Sequence, residues 1–168
     1  SNVRYRVAFK LAPGAEMLQG ESEIALSIAE PLEPLVVDFK GIGDSESTLN
    51  GKLHEVKVNG LSAANHRQVN GHIIIPAEAL KAGDNNFSFR FEAPARKSGA
   101  AITRYIDQGD KSEYIYTLFV PSDAHMAFPC FDQPDLKARF SLEAIAPEDW
   151  TVVTNTMPEG AAAAASPG

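Results

Sequence analysis

The chain has 168 residues, the size of one domain, and a compact chain of that length buries roughly 70% of the surface its unfolded form exposes. Fifteen Lys and Arg against 22 Asp and Glu give a net charge of −7, which disfavours nucleic acid and anionic membrane surfaces as partners. The single cysteine, Cys130, excludes an internal disulfide and a C-x-x-C site, so cysteine usage gives no vote on compartment. No apolar run approaches the ~20 residues of a membrane span. The opening Ser1-Asn2-Val3 shows no basic-then-apolar leader and no Met, and reads as a trimmed product with any export signal upstream.

The dominant period along the chain is two. Tyr5, Val7, Phe9 and Leu11 alternate with Arg4, Arg6 and Lys10, predicting a strand with one buried and one wet face. Gln19-Gly20-Glu21 reads as a turn or bulge before a second strand carrying Ile24, Leu26 and Ile28. Leu35, Val37 and Phe39 form a third run, closed by Gly41 and Gly43. Val56 and Val58 lead into Asn59-Gly60, a pair that tolerates positive φ and so signals a hairpin. Pro76 to Gly83 has Pro at its start and Gly at its end, the asymmetry of a short connector helix. Phe87, Phe89 and Phe91 alternate with Ser88, Arg90 and Glu92 in the cleanest strand pattern of the chain. Tyr114 to Val120, Phe140 to Ala146 and Trp150 to Val153 predict three more strands. Eleven prolines and twelve glycines punctuate these runs. The result is an all-β reading, a sandwich or barrel, over residues 1–160, with 161–168 as a flexible Ala-rich tail.

The residue types that carry hydrolytic chemistry do not converge in this pattern. His54, His66, His72 and His125 offer no pair at the i, i+4 spacing of a helical H-E-x-x-H zinc site, so locally hydrogen-bonded imidazoles are expected and no metal ligands. Cys130 lies between Pro129 and Phe131, in apolar surroundings that favour an inert packing thiol over a nucleophile. Asp107, Asp110 and Glu113 flank Gly109 in a hairpin loop, where solvated charge is the expectation and a calcium site the alternative. No catalytic residue is assigned. The segment from Tyr114 to Phe140 stands out. Pro121, Pro129 and Pro134 each remove a ladder donor and stiffen the chain, Phe128 and Phe131 can pin it to a core, and Asp132 can accept hydrogen bonds from nearby amides. Taken alone, this is a rigid loop between two strands.

Within that segment, Met126-Ala127-Phe128-Pro129-Cys130-Phe131-Asp132-Gln133-Pro134 resembles the R-x-x-F-P-C-F-D-E-P signature of aminopeptidase-N-like zinc metallopeptidases. Lys137-Ala138-Arg139-Phe140 is similar to the K-A-x-F that follows there, and Tyr114 to Thr117 to the preceding Y-x-x-T strand. Weaker similarities at Gly20, Leu35 to Phe39 and Val56 to Gly60 extend the resemblance over nearly the whole chain. It implies a saddle-like, mainly antiparallel N-terminal β-domain beside a catalytic domain of the same polypeptide. That domain supplies H-E-x-x-H, zinc and the peptide-hydrolysing residues, so this chain alone is expected to be inactive and to need no cofactor. It also implies that the family's domain runs on past the strand at Trp150–Thr154. The last strands are then truncated here, leaving an exposed sheet edge that invites pairing with a second copy.

The match departs from the family at two positions. Where the family's Q-x-E-P-x-x-A-R pattern places an acid or amide that binds the substrate amine, this chain has Val120, and where it places Arg, His125. Asp123 is the nearest carboxylate that could substitute as a substrate-binding anchor. The resemblance implies peptide substrates and a role in walling the cleft and limiting access to it; the competing expectation is a stand-alone β-sandwich module that binds carbohydrate or protein. Likeness to bacterial sequences of this type favours a periplasmic or secreted origin over a cytoplasmic one.

Overall fold

The computed structural model describes residues 2–40, 51–97 and 99–159. Eleven strands run in chain order through these residues: β1 Arg4–Lys10, β2 Met17–Ile28, β3 Leu35–Asp38, β4 Lys52–Val58, β5 Leu61–Ser62, β6 Arg67–Val69, β7 His72–Ile75, β8 Gly83–Pro94, β9 Ile102–Ile106, β10 Glu113–Thr117 and β11 Arg139–Ile145. They form a six-stranded sheet in the order β11-β1-β2-β8-β4-β5, a three-stranded sheet β3-β7-β6, and the hairpin β9-β10. Every ladder is antiparallel except β1–β11. The fold is all-β, as the alternation predicts.

One face of the six-stranded sheet and one face of the three-stranded sheet share a single core. Val7, Leu18, Ile24, Val56, Phe87, Phe89 and Phe91 come from the first, Val37, Ile73 and Ile75 from the second, and Phe39 follows β3. Phe91 meets Phe9 and Phe39 edge-on, with ring centroids 5.8 and 5.4 Å apart, the arrangement aromatic quadrupoles prefer. The opposite face of the large sheet carries the charged members of each alternating pair. There Arg6 meets Glu143, Arg90 meets Glu21, and Lys52 meets Glu92.

Four local expectations need correction. Gly20 makes no turn. It lies inside β2, opposite Phe9 of β1 and Phe91 of β8, and a Cβ there would sit 2.3 Å from the tip of the Phe91 ring. The glycine is required by a side chain crossing above it, which local turn chemistry cannot reveal. The Pro76–Gly83 helix shrinks to one 3-10 turn, Ala77–Ala79, because Leu80 is already extended and Gly83 opens β8. Trp150–Val153 pairs with no strand among the described residues: the Trp150 N–H closes a turn onto the Pro147 carbonyl, and Val152 and Val153 stand exposed. The strand expected over Tyr114–Val120 stops at Thr117, and the strand from Phe140 spans Arg139–Ile145.

The Asn59-Gly60 hairpin forms as expected between β4 and β5, with φ of 52° and 82°. Asn59 also clamps the start of β8, exchanging hydrogen bonds with Asn85 and Asn86 at 3.0–3.1 Å. The Leu35–Phe39 run forms β3 over Leu35–Asp38, with Val37 and the following Phe39 buried in the core and Val36 exposed. Its closing Gly41 and Gly43, the boundary at 160 and the 161–168 tail lie outside the described residues.

Candidate functional site

The proline-stiffened segment leaves β10 at Leu118 and rejoins the sheet at Arg139. Its apolar residues do what their spacing suggests. Ala127, Phe128, Pro129 and Cys130 are buried, and Phe128 packs against Phe119 and Phe140 with centroids 5.8 and 5.6 Å apart. One 3-10 turn, Ala124–Met126, bends the chain inward, and the Val120–Pro121 peptide is cis.

Three distant residues fasten this collar. The Pro129 carbonyl accepts the buried Ser22 hydroxyl at 3.1 Å. Cys130 and Asp38 exchange both backbone hydrogen bonds, at 2.8 and 3.0 Å, so the collar extends the end of β3 by one bridge. The Phe131 N–H donates to the Tyr5 hydroxyl at 2.9 Å. The Asp132 N–H donates to Oδ2 of Asp38 at 3.1 Å. Asp132 in turn holds the collar's own bend, as its turn chemistry suggests: its Oδ2 accepts the His125 N–H at 3.2 Å and lies 2.6 Å from His125 Nδ1. A second imidazole sits alongside, with His72 Nδ1 2.9 Å from Oδ1 of Asp38. These two Asp–His pairs, with Lys40 and Ser122, line an open cleft of about 440 Å³.

Burial sets the chemistry of the two nucleophile-like groups here. Desolvation, reinforced by the charges of Asp132 and Asp38, pushes the Cys130 thiol well above its ordinary value and keeps it protonated. Burial likewise raises Tyr5 to about 12, against the opposing hydrogen bond from Phe131. A thiol held neutral in a packed strand bridge is a poor nucleophile, in line with the sequence reading of Cys130.

The remaining sequence-stressed positions fall on the outside. Val120 is 75% exposed, and with Tyr114, Tyr116 and Leu118 it continues an exposed apolar stripe at alternate residues. Asp123 is half-buried, and its carboxylate has no hydrogen-bond partner among the described residues. Pro134 is exposed at the far end of the collar, after the half-buried Phe131 and Asp132. The acidic hairpin loop satisfies itself: Asp107 accepts the Gly109 N–H, Asp110 accepts the Ser112 N–H, and Glu113 pairs with Arg104 and caps Gly14. Among the described residues no three His, Cys, Asp or Glu converge as metal ligands, so this part of the chain does not fit a zinc centre. Among the described residues no helix is long and apolar enough to cross a membrane.

Sequence reasoning named the collar's Asp132 and Cys130 but missed the groups that hold the collar, Tyr5 on Phe131, Ser22 on Pro129 and Asp38 on Cys130 and Asp132. One signal was present: Asp38 interrupts the apolar run Val36-Val37-Asp38-Phe39, and a carboxylate there needs a donor from somewhere. Nothing in the sequence says that the donor lies 94 residues downstream.

The chain belongs to the Peptidase M1 N-terminal domain family, whose model matches residues 1–167. Aminopeptidase N of Streptomyces lividans is 36% identical over 104 residues, 62% of this chain and 12% of that protein. Aminopeptidase N of Bos taurus is 25% identical over 176 residues, covering 93% of this chain and 18% of the relative. The chain thus spans less than one-fifth of the length of these relatives. Among solved structures, an M1 zinc metallopeptidase from Deinococcus radiodurans superposes with a TM-score of 0.62 at 18% identity, covering 87% of this chain and 32% of that one. Yeast LTA4 hydrolase does so with a TM-score of 0.67 at 16% identity, covering 87% and 23%. At those identities the likeness is one of fold.

Proposed function

We propose that this chain is the non-catalytic N-terminal domain of a zinc-dependent aminopeptidase, in which it walls the active-site cleft and limits the access of peptide substrates. The observation that carries the reading is the collar: a family-matched segment fixed to the core on its inner side, with Leu118, Val120 and Asp123 on its accessible side. Zinc, the activated water and the transition-state donors belong, on this reading, to a catalytic domain further along the same polypeptide. Removal of N-terminal residues by metal-assisted hydrolysis is then the activity of the whole protein. Peptides and that catalytic domain are its partners, and a second copy meeting the free sheet edge is a separate contact.

Asp123 is the proposed anchor for the substrate's α-amine, since Val120 offers no charge and Asp123 has no competing partner among the described residues. A carboxylate–ammonium hydrogen bond contributes roughly 1.5–3 kcal/mol, so Asp123→Ala in the full-length enzyme should raise KM for aminoacyl substrates by about tenfold or more. An unchanged KM and kcat would remove Asp123 from the site. The wider reading is tested by assaying the 168-residue chain and the full-length protein side by side on an aminoacyl-anilide with zinc. Turnover by the short chain alone, or none by the longer one, would overturn it.

One feature favours a second reading, a stand-alone binding module. Tyr105 and Tyr114 are exposed and adjacent on the β9-β10 hairpin, with ring centroids 6.4 Å apart, and exposed aromatic pairs suit sugar faces. Binding of a glycan by the isolated chain, lost in Tyr114→Ala, would establish that reading instead.

A further inference from the structure

The 3-10 turn Ala124–Met126 has little packing to hold it. None of its three side chains is buried, and no side-chain hydrogen bond caps its start at Asp123. Polar contacts fix it instead, and three of them converge on His125. The His125 carbonyl accepts the Lys40 N–H at 3.0 Å, and its own N–H reaches Oδ2 of Asp132 at 3.2 Å. Its Nδ1 lies 2.6 Å from the same oxygen. A carboxylate only accepts, so this nitrogen carries the hydrogen and donates it. Both side chains are largely shielded, 23% and 16% exposed, so water competes poorly for the contact.

Asp132 stands on the fastened part of the collar. Its N–H donates to Oδ2 of Asp38, whose other oxygen lies 2.9 Å from His72 Nδ1, and the neighbouring Phe131 N–H is held by Tyr5. His125 therefore links the end of β3 to the turn. Two residues before it comes Asp123, whose backbone belongs to the same bend. The Asp123 N–H donates to the Phe119 carbonyl at 3.0 Å, and its carbonyl accepts the Met126 N–H at 3.1 Å. Its carboxylate has no hydrogen-bond partner among the described residues, so the backbone decides where that charge stands.

We propose that His125 is a positioning residue: by clamping the turn through Asp132, it sets the place from which Asp123 meets the α-amine of a substrate. This role rests on the reading of Asp123 as the anchor for that amine. Without the clamp the anchor is still present but its position relaxes. A relaxed anchor holds the amine less well in the bound substrate and in the transition state alike, so KM rises while kcat stays. A clamp that served the fold alone would lower the melting temperature and leave KM where it was.

In the full-length enzyme, His125→Ala should raise KM for aminoacyl substrates by about threefold to tenfold and leave kcat unchanged. Two milder replacements read the donor itself. The amide N–H of Asn falls where Nδ1 stands, and that of Gln where Nε2 stands. His125→Asn should therefore keep KM near that of the parent, whereas His125→Gln should resemble the alanine variant. Adding His125→Ala to Asp123→Ala should raise KM no further than Asp123→Ala does alone, because the group to be placed has gone. An Asp123→Ala variant with unchanged KM would remove the anchor, and the positioning role with it. A raised KM in Asp123→Ala beside an unchanged KM in His125→Ala would overturn the positioning role and leave the anchor standing. Additive losses in the double variant would do the same, as would equal behaviour of the Asn and Gln variants. Should His125→Ala fail to fold, the Asn and Gln pair carries the test.

Discussion

β8 and β11 are written in nearly the same pattern and end up in opposite situations. Phe87-Ser88-Phe89-Arg90-Phe91 and Phe140-Ser141-Leu142-Glu143-Ala144 both alternate apolar with polar. In β8 the three phenylalanines are at most 2% exposed, because β2 and β4 flank the strand and the three-stranded sheet covers it. In β11 Phe140 and Leu142 remain about half exposed, with β1 on one side and no strand among the described residues on the other. Period two therefore fixes which face a residue takes. What covers that face is decided by topology, and a strand's own sequence does not contain it.

The largest test of this contrast is a pair of truncations. Phe89→Ala should cost about 3–5 kcal/mol, whereas Phe140→Ala should cost less than about half of that, since part of its ring already contacts water. Urea midpoints of the two variants measure the difference, and equal losses would break the contrast. Gly20 sharpens it from beneath the same core. Gly20→Ala drives a Cβ into the Phe91 ring, and overpacking of this kind costs about 1–3 kcal/mol. Adding Phe91→Leu, which shortens the offending side chain, should give a loss smaller than the sum of the two single losses in thermal melts.

How much of this was legible can be followed residue by residue. Alternation identified the core strands and Asn59-Gly60 the hairpin, because both signals act within a few residues. Gly20 was misread since its reason lies on β8, and Trp150–Val153 since a strand pattern without a neighbour is only exposed chain. At the site, Phe128, Cys130 and Asp132 were legible from local composition and from the resemblance. Ser22, Tyr5 and Asp38 were not, because they meet the collar only after the sheets have assembled.

Smaller effects belong to the collar's fastenings. Ser22→Ala leaves the buried Pro129 carbonyl without its donor and should cost about 1–3 kcal/mol. Amide exchange should quicken over the collar more than over β8, and a uniform change would argue against local fastening. The mildest effect is alkaline. Tyr5 and Cys130 are acids whose pKa values are raised in the folded chain, so the unfolded chain releases these protons first as pH climbs. Their contribution is intact below the ordinary thiol and phenol values of 9.0 and 10.0, and for Tyr5 it is lost between 10.0 and about 12. Melting temperature should fall through that window, and Cys130→Ala should make the early part of the fall shallower.

The bridge between Asp38 and Cys130 also orders events in time. It closes a long loop of chain, and the entropy of closing such a loop is lost before any contact repays it, so the collar docks late. Tyr5, Ser22 and Asp38 all precede it in the chain, which means a nascent polypeptide builds the dock before it makes the segment that moors there. Until that mooring, Phe128 and Phe131 stay in water, and this is the interval in which a chaperone or a protease would find the molecule.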